Sequence, residues 1–198
     1  EATLRASLAL GERLGEVLTT TNSRLYLALL LSRDAGRTRE AFGLATEVMG
    51  RNSLADGVAL GIRAQVLLDE GDPCGAEALA RRSCEMLAAM PTLRQHPLAV
   101  SLRALVVAGR ADDACRLADE ALADIDAAPG GYNEVALRIA VAEARVAAGD
   151  IAGARAAAGE ALRRVELRAS KISDIATREA YLGRLADNVR ARALATEG

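Results

Sequence analysis

The stretch GDIAGARAAAGEA, residues 149 to 161, opens with a glycine and then sets three small side chains, Ala154, Ala158 and Ala161, at helical spacing. The same arrangement occurs in GRTREAFGLATEV (36 to 48), GDPCGAEALARRS (71 to 83) and GRADDACRLADEA (109 to 121). Aligned on their glycines, all four carry Ala five and nine residues on: Ala41 and Ala45, Ala76 and Ala80, Ala114 and Ala118, Ala154 and Ala158. The twelfth position holds Val48, Ser83, Ala121 or Ala161. Offsets of five, nine and twelve are steps of four and three, which put the three side chains on one face of a helix. A face so thin lets a neighbouring helix approach closely.

Amphipathic runs such as SRLYLALLLSRDAG and VALRIAVAEARVAAG lead into these glycines. Glycine tolerates the left-handed conformation that ends a helix, and the polar residues after it start another. Gly71, Asp72 and Pro73 combine a turn glycine, a capping carboxylate and a proline at the first helical position. The repeating unit is therefore a helix, a glycine turn and a second helix with a small-residue face. Helices are expected near 22 to 35, 38 to 50, 54 to 70, 73 to 90, 96 to 108, 111 to 127, 132 to 148 and 151 to 169. Asn52 and Ser53, Pro91 and Thr92, and the APGGYN segment at 128 to 133 separate the units.

Ala, Leu, Arg and Glu dominate the 198 residues and aromatics make up 2%, a mix that favours helix throughout. The formal net charge of -2 comes from interspersed signs and offers no single-signed field for nucleic acid or an anionic membrane. Lys171 is the one lysine among 25 basic residues, as the coding bias of a GC-rich bacterial genome produces. No apolar run reaches the ~20 residues of a membrane span, and no signal-peptide pattern opens the chain. These readings predict a soluble, cytoplasmic protein. Cys74 and Cys84, if on one helix, stand about 15 Å apart, too far to bridge, so reduced thiols are expected.

The glycine intervals of 35, 38 and 40 residues lie close to the 34-residue tetratricopeptide period. With its turn glycine and two alanines in place four times, the chain resembles a tetratricopeptide repeat array. It departs from that family in its scarcity of aromatics and in the displacement of the repeat-ending proline to Pro91 and Pro129. The resemblance implies an all-α, right-handed α-solenoid occupying 1 to 198 as one domain, with helical pairs at 22 to 52, 53 to 91, 92 to 129 and 130 to 169. Ser7, Gly11 and Leu14 reproduce the small-face offsets, so residues 1 to 20 read as a half repeat, with 3 to 19 its second helix. A chain that begins this way at Glu1 is expected to be a fragment of a longer one, and its unpartnered apolar face favours self-association.

The tail KISDIATREAYLGRLADNVRARALA, 171 to 195, breaks the repeat and reads as part of a separate capping helix over 171 to 196. Its Ile172, Asp174, Arg178, Tyr181, Leu182, Arg184, Asn188, Arg190 and Leu194 resemble the closing segment of repeat arrays in large bacterial serine/threonine protein kinases and related signalling ATPase regulators. That family commonly has Pro where Ala186 stands. Tyr181, Leu182, Leu185, Val189 and Leu194 are expected to cover the last helical pair.

What the resemblance implies for function is a concave groove, lined by first helices, for a protein or peptide ligand. Carried over residue by residue, its groove positions are Ser23, Tyr26, Leu30 and Arg33; Gln65 and Leu68; His96 and Arg103; Ile139, Glu143 and Val146. The implied function is a non-enzymatic interaction module of a signalling kinase. The alternative is an effector-sensing regulatory array in a transcriptional activator or signalling ATPase. The bland reading makes the same positions ordinary surface.

No catalytic, cofactor or metal site emerges. His96 is the single histidine, and before Pro97 at an expected helix start it reads as a capping or solvent-facing residue. Without a second His or a Cys-x-x-Cys pair, zinc has no ligand set. Asp69 with Glu70, Asp112 with Asp113, and Asp119 with Glu120 are adjacent pairs that diverge on a helix, and so read as solvated charge. Gly130 and Gly131 lack a phosphate-loop context. Cys84 and Cys115 sit in small-residue surroundings and read as core fillers.

Overall fold

The computed structural model describes residues 1–196, and every regular element among them is helical. The α-helices are α1 (Ala2–Leu14), α2 (Val17–Leu31), α3 (Thr38–Val48), α4 (Ser53–Asp69), α5 (Pro73–Met86), α6 (Pro91–Val107), α7 (Ala111–Ala127), α8 (Glu134–Ala147), α9 (Ile151–Ala169), α10 (Ile175–Arg184) and α11 (Ala186–Thr196). A short 3-10 turn at Ala35–Arg37 precedes α3. The chain forms two compact units, one holding α1 to α5 and ending at Ala89, the other running from Met90 with α6 to α11.

In the first unit each helix packs against the next, and α2 also meets α4. In the second, α6 to α9 pack in sequence, α6 also meets α8, and α11 lies against both α8 and α9. The small-residue faces make these contacts possible. All twelve positions at the five, nine and twelve offsets are buried, the most exposed being Ala154 at 5%. The bulk that fills the space opposite them comes largely from the other helices: Leu27, Leu31 and Ile62 in the first unit, Leu102, Leu137 and Ile139 in the second, each at most 2% exposed. Ser83 shows how tight the approach is, for its hydroxyl donates to the Gly57 carbonyl of α4 at 2.6 Å.

Local chemistry sets the boundaries. Gly71, Gly109 and Gly149 have φ of 85°, 72° and 79°, the left-handed conformation that closes a helix at small cost only for glycine. Asp72 and Asp150 then start α5 and α9 by accepting the N–H groups of Gly75 and Gly153, each at 2.9 Å. A side chain at position 153 would meet the Asp150 carboxylate and Arg145, whose side-chain ends would have to move aside.

The observed helices differ from the sequence reading in four places. Gly36 does not take the left-handed turn of its three counterparts; it lies in the 3-10 turn, its N–H donating to the Asp34 carboxylate at 3.0 Å. The helix expected over 3 to 19 stops at Leu14, because Gly15 turns left-handed at φ 68° and Glu16 caps α2. Leu14 is consequently 70% exposed, whereas Gly11 is buried and Ser7 half-buried.

Pro91 follows the boundary between the two units and starts α6, so the helix expected from 96 begins a turn and a half earlier and carries Pro97 inside it. Proline has no N–H to donate into the ladder, and the segment is held instead by burial of Gln95, His96 and Leu98. The expected single tail helix breaks at Leu185, which is extended at φ -80°, ψ 121°. The break needs no proline. Asn188 donates its side-chain N–H to the Tyr181 carbonyl at 2.6 Å, satisfying a group that the end of α10 leaves open.

Cys74 and Cys84 both lie on α5, and all three cysteines are free thiols. Cys84 is buried, Cys115 half-buried and Cys74 exposed. Among the described residues no helix is long and apolar enough to cross a membrane.

Candidate functional site

The first-helix positions divide between the two units and meet different fates. On α2, Tyr26 is 57% exposed and Leu30 is half-buried, with Arg33 half-buried just past the helix end. On α4, Gln65 donates to Asp69 at 2.8 Å and Leu68 is half-buried. These five residues remain reachable on neighbouring helices, since α2 packs on α4. Ser23 does not join them. It is buried, with its hydroxyl 2.9 Å from that of Ser7 on α1.

In the second unit the carried-over positions are altered by the tail. α8 contacts α6, α7, α9 and α11, so residues 133 to 142 are buried almost all round. Ile139 is 0% exposed and belongs to a core with Val135, Ala161, Val165 and Ala191, against which Tyr181, Leu182 and Leu194 pack. It cannot line an open groove. His96, expected at a helix start, is instead inside α6 and buried at 8% exposure. Leu185 and Val189, expected to cover the last pair, are exposed at 39% and 46% because the break in the tail turns them outward.

Arg103 and Glu143 keep partial exposure but are engaged by α11. The Arg103 guanidinium lies 3.6 Å from the Glu143 carboxylate and 3.4 Å from that of Asp187, while Arg190 donates to Glu143 at 3.1 Å. Two arginines thus face two carboxylates across α6, α8 and α11. Asp187 and Arg190 had no sequence signal as site residues, since they reach this place only through the docking of a helix 84 residues beyond Arg103. Val146, further along α8, stays 49% exposed.

A second charged group gathers where α8 begins and α9 ends. Glu134 is 0% exposed, and its carboxylate accepts the Arg138 Nε–H at 3.1 Å and the Gly130 N–H at 2.9 Å. Arg164 Nε stands 3.1 Å from the same carboxylate and Arg168 Nη2 3.8 Å from it. Glu160, one turn before Arg164 on α9, accepts from Arg163 at 2.6 Å and Arg164 at 2.9 Å. The Arg163 hydrogen bond, followed by that of Arg164, holds the Glu160 carboxyl down to about 2 against the cost of its partial burial. The APGGYN segment is fastened to this group, for Arg168 donates to the Gly131 carbonyl at 2.9 Å and Gln95 to that of Ala128 at 3.3 Å.

Among the described residues no group of three or more His, Cys, Asp or Glu is placed to hold a metal ion. Of the adjacent acidic pairs, Asp113 is held below the usual carboxylate range chiefly by a hydrogen bond from Arg110 and also pairs with Arg116, while Asp119 accepts from Arg145 of α8 at 2.7 Å. In comparisons with known proteins, no family model, no curated protein and no solved structure matches this chain.

Proposed function

We propose that the chain is a non-enzymatic binding module, a right-handed α-solenoid of tetratricopeptide-like helical pairs, that takes a protein or peptide ligand on its first helices. One observation carries this reading: the second helices spend their small faces on packing, while first helices meet one another, α2 with α4 and α6 with α8. Large side chains left accessible there, Tyr26 above all, have no packing duty that accounts for them. An exposed aromatic one turn from apolar Leu30, on a helix that packs against the one carrying Leu68 and the amide of Gln65, is the mixture that anchors a desolvated contact. Arg103 is a weaker anchor, being occupied by Asp187 and Glu143. The tail's resemblance to the closing segment of bacterial kinase arrays supports a place in a signalling protein.

A photoreactive phenylalanine derivative at position 26, and in a parallel protein at position 116, tests this in cells of the native source. Arg116 lies on the second-helix side of its pair with a side chain 74% exposed. Polypeptide adducts at 26 that are scarce at 116 are the expected result, together with loss of the same partner from Tyr26→Ala. Adducts confined to 116 place recognition on the other face and overturn the proposal.

A further inference from the structure

The charged group around Glu134 is out of balance. Among the described residues every ion pair made by Arg138, Arg163, Arg164 and Arg168 ends on Glu134 or Glu160, so four cations share two carboxylates. Two other networks of four groups are matched, Arg5 and Arg37 with Glu1 and Glu40 and Arg103 and Arg190 with Glu143 and Asp187, while Arg110 and Arg116 both pair with Asp113 at the start of α7. A surplus of two positive charges in a protein of net charge -2, beside a fully buried carboxylate, is unexplained by Glu134 alone. Arg138 and Arg164 already neutralise that carboxylate at 3.1 Å each.

The guanidiniums also keep donors in hand. Among the described residues Arg164 hydrogen-bonds only through Nε, and Arg168 only through Nη2. Among the described residues the Nη groups of Arg164, and Nε and Nη1 of Arg168, make no hydrogen bond to protein, and the side chains are 23% and 32% exposed. The Arg138 side chain is 8% exposed and that of Arg163 58%. Glu134, fully buried, holds Arg138 and Arg164 at 3.1 Å each, which removes part of the ordering cost of binding.

From this we infer that Arg138, Arg163, Arg164 and Arg168 form a binding site for a dianionic oxyanion, a phosphoryl group carried by a small molecule or by a phosphorylated protein segment. Arginine forks match the paired oxygens of phosphate, and two negative charges cancel the surplus. Recognition is by side-chain guanidiniums; the Gly130 N–H is already given to Glu134 and plays no part in it. The inference stands apart from the first-helix binding surface and does not rest on it.

The test titrates the whole chain, at fixed ionic strength, with inorganic phosphate and with a phosphoserine peptide and its unphosphorylated form, following amide resonances and heat of binding. Arg164→Gln with Arg168→Gln is expected to weaken phosphoryl binding about tenfold or more, since each removes a charge-assisted hydrogen bond. Arg81→Gln with Arg82→Gln, exposed on α5, is expected to leave it unchanged. Glu160→Gln raises the surplus and is expected to tighten binding, a gain that a purely structural network does not produce. If the double variant fails to fold, Glu160→Gln decides alone: tighter binding supports the site, equal or weaker binding overturns it. A peptide that binds well above phosphate identifies a phosphorylated protein segment as the source, and equal affinities a small phosphate. Absence of binding by either probe, or binding untouched by the arginine substitutions, overturns the inference.

Discussion

The Arg103 guanidinium stands 3.4 Å from the Asp187 carboxylate, joining α6 to the first turn of α11 across 84 residues of sequence. The side chains are 28% and 15% exposed, so solvent screens the pair and its worth is modest. Asp187→Ala is expected to lower global stability by no more than about 1 kcal/mol yet to speed amide exchange in residues 186 to 196. Unchanged exchange there shows that apolar packing alone holds the tail.

That packing centres on Ile139, buried at 0% between α9 and the tail. Ile139→Ala removes three methyl or methylene groups from a site that cannot refill, and is expected to cost about 2 to 5 kcal/mol. Urea denaturation measures it. A loss well under 1 kcal/mol contradicts the reassignment of this residue from groove to core.

The thin faces predict the opposite sensitivity. Ala118 and Ala158 are at most 1% exposed, and Leu at either position is expected to cost about 1 to 3 kcal/mol by overpacking. Thermal unfolding unchanged in both variants removes the account of why these helices carry so little bulk.

Gly109 and Gly36 occupy the same register but should respond differently. Gly109 has φ 72° and open space around it, so Gly109→Ala pays only the left-handed conformation, about 1 to 2 kcal/mol. Gly36 is exposed without positive φ, and Gly36→Ala is expected to fall within about 0.5 kcal/mol of the parent. Equal losses from the two substitutions contradict the 3-10 turn at Ala35–Arg37.

Acid should undo the Glu160 contacts in a defined window. Its carboxyl is lowered from 4.5 to about 2 by Arg163 and then Arg164, so the folded protein holds the ionised form more strongly than the unfolded chain does. The resulting stability is complete above about pH 4.5 and is lost as pH falls through about 2. Glu160→Gln is expected to be less stable than the parent at pH 6, with the difference narrowing by pH 3. A gap that stays constant between those values shows that the pairing is not linked to protonation.

The repeated spacing of Ala after glycine was enough to set the buried face of α3, α5, α7 and α9, because helical geometry is local and a position three or four residues on must share a face. The starts at Asp72 and Asp150 were legible for the same reason, a cap and its N–H partner being three residues apart. Where α6 begins was not legible, since Pro91 and Pro97 each suit a helix start and the choice depends on burial of Gln95. Nor was the break at Leu185, which rests on an Asn188 side chain finding the Tyr181 carbonyl. Tertiary structure alone decided which first-helix residues stay accessible. Tyr26 remains open and Ile139 is covered, although both were placed on the same kind of face, because α11 docks on α8 and nothing within either helix encodes that arrival. The cluster on Glu134 and Glu160 has the same origin: only the packing of α9 on α8 brings Arg164 and Arg168 to a carboxylate 30 or more positions earlier in the chain.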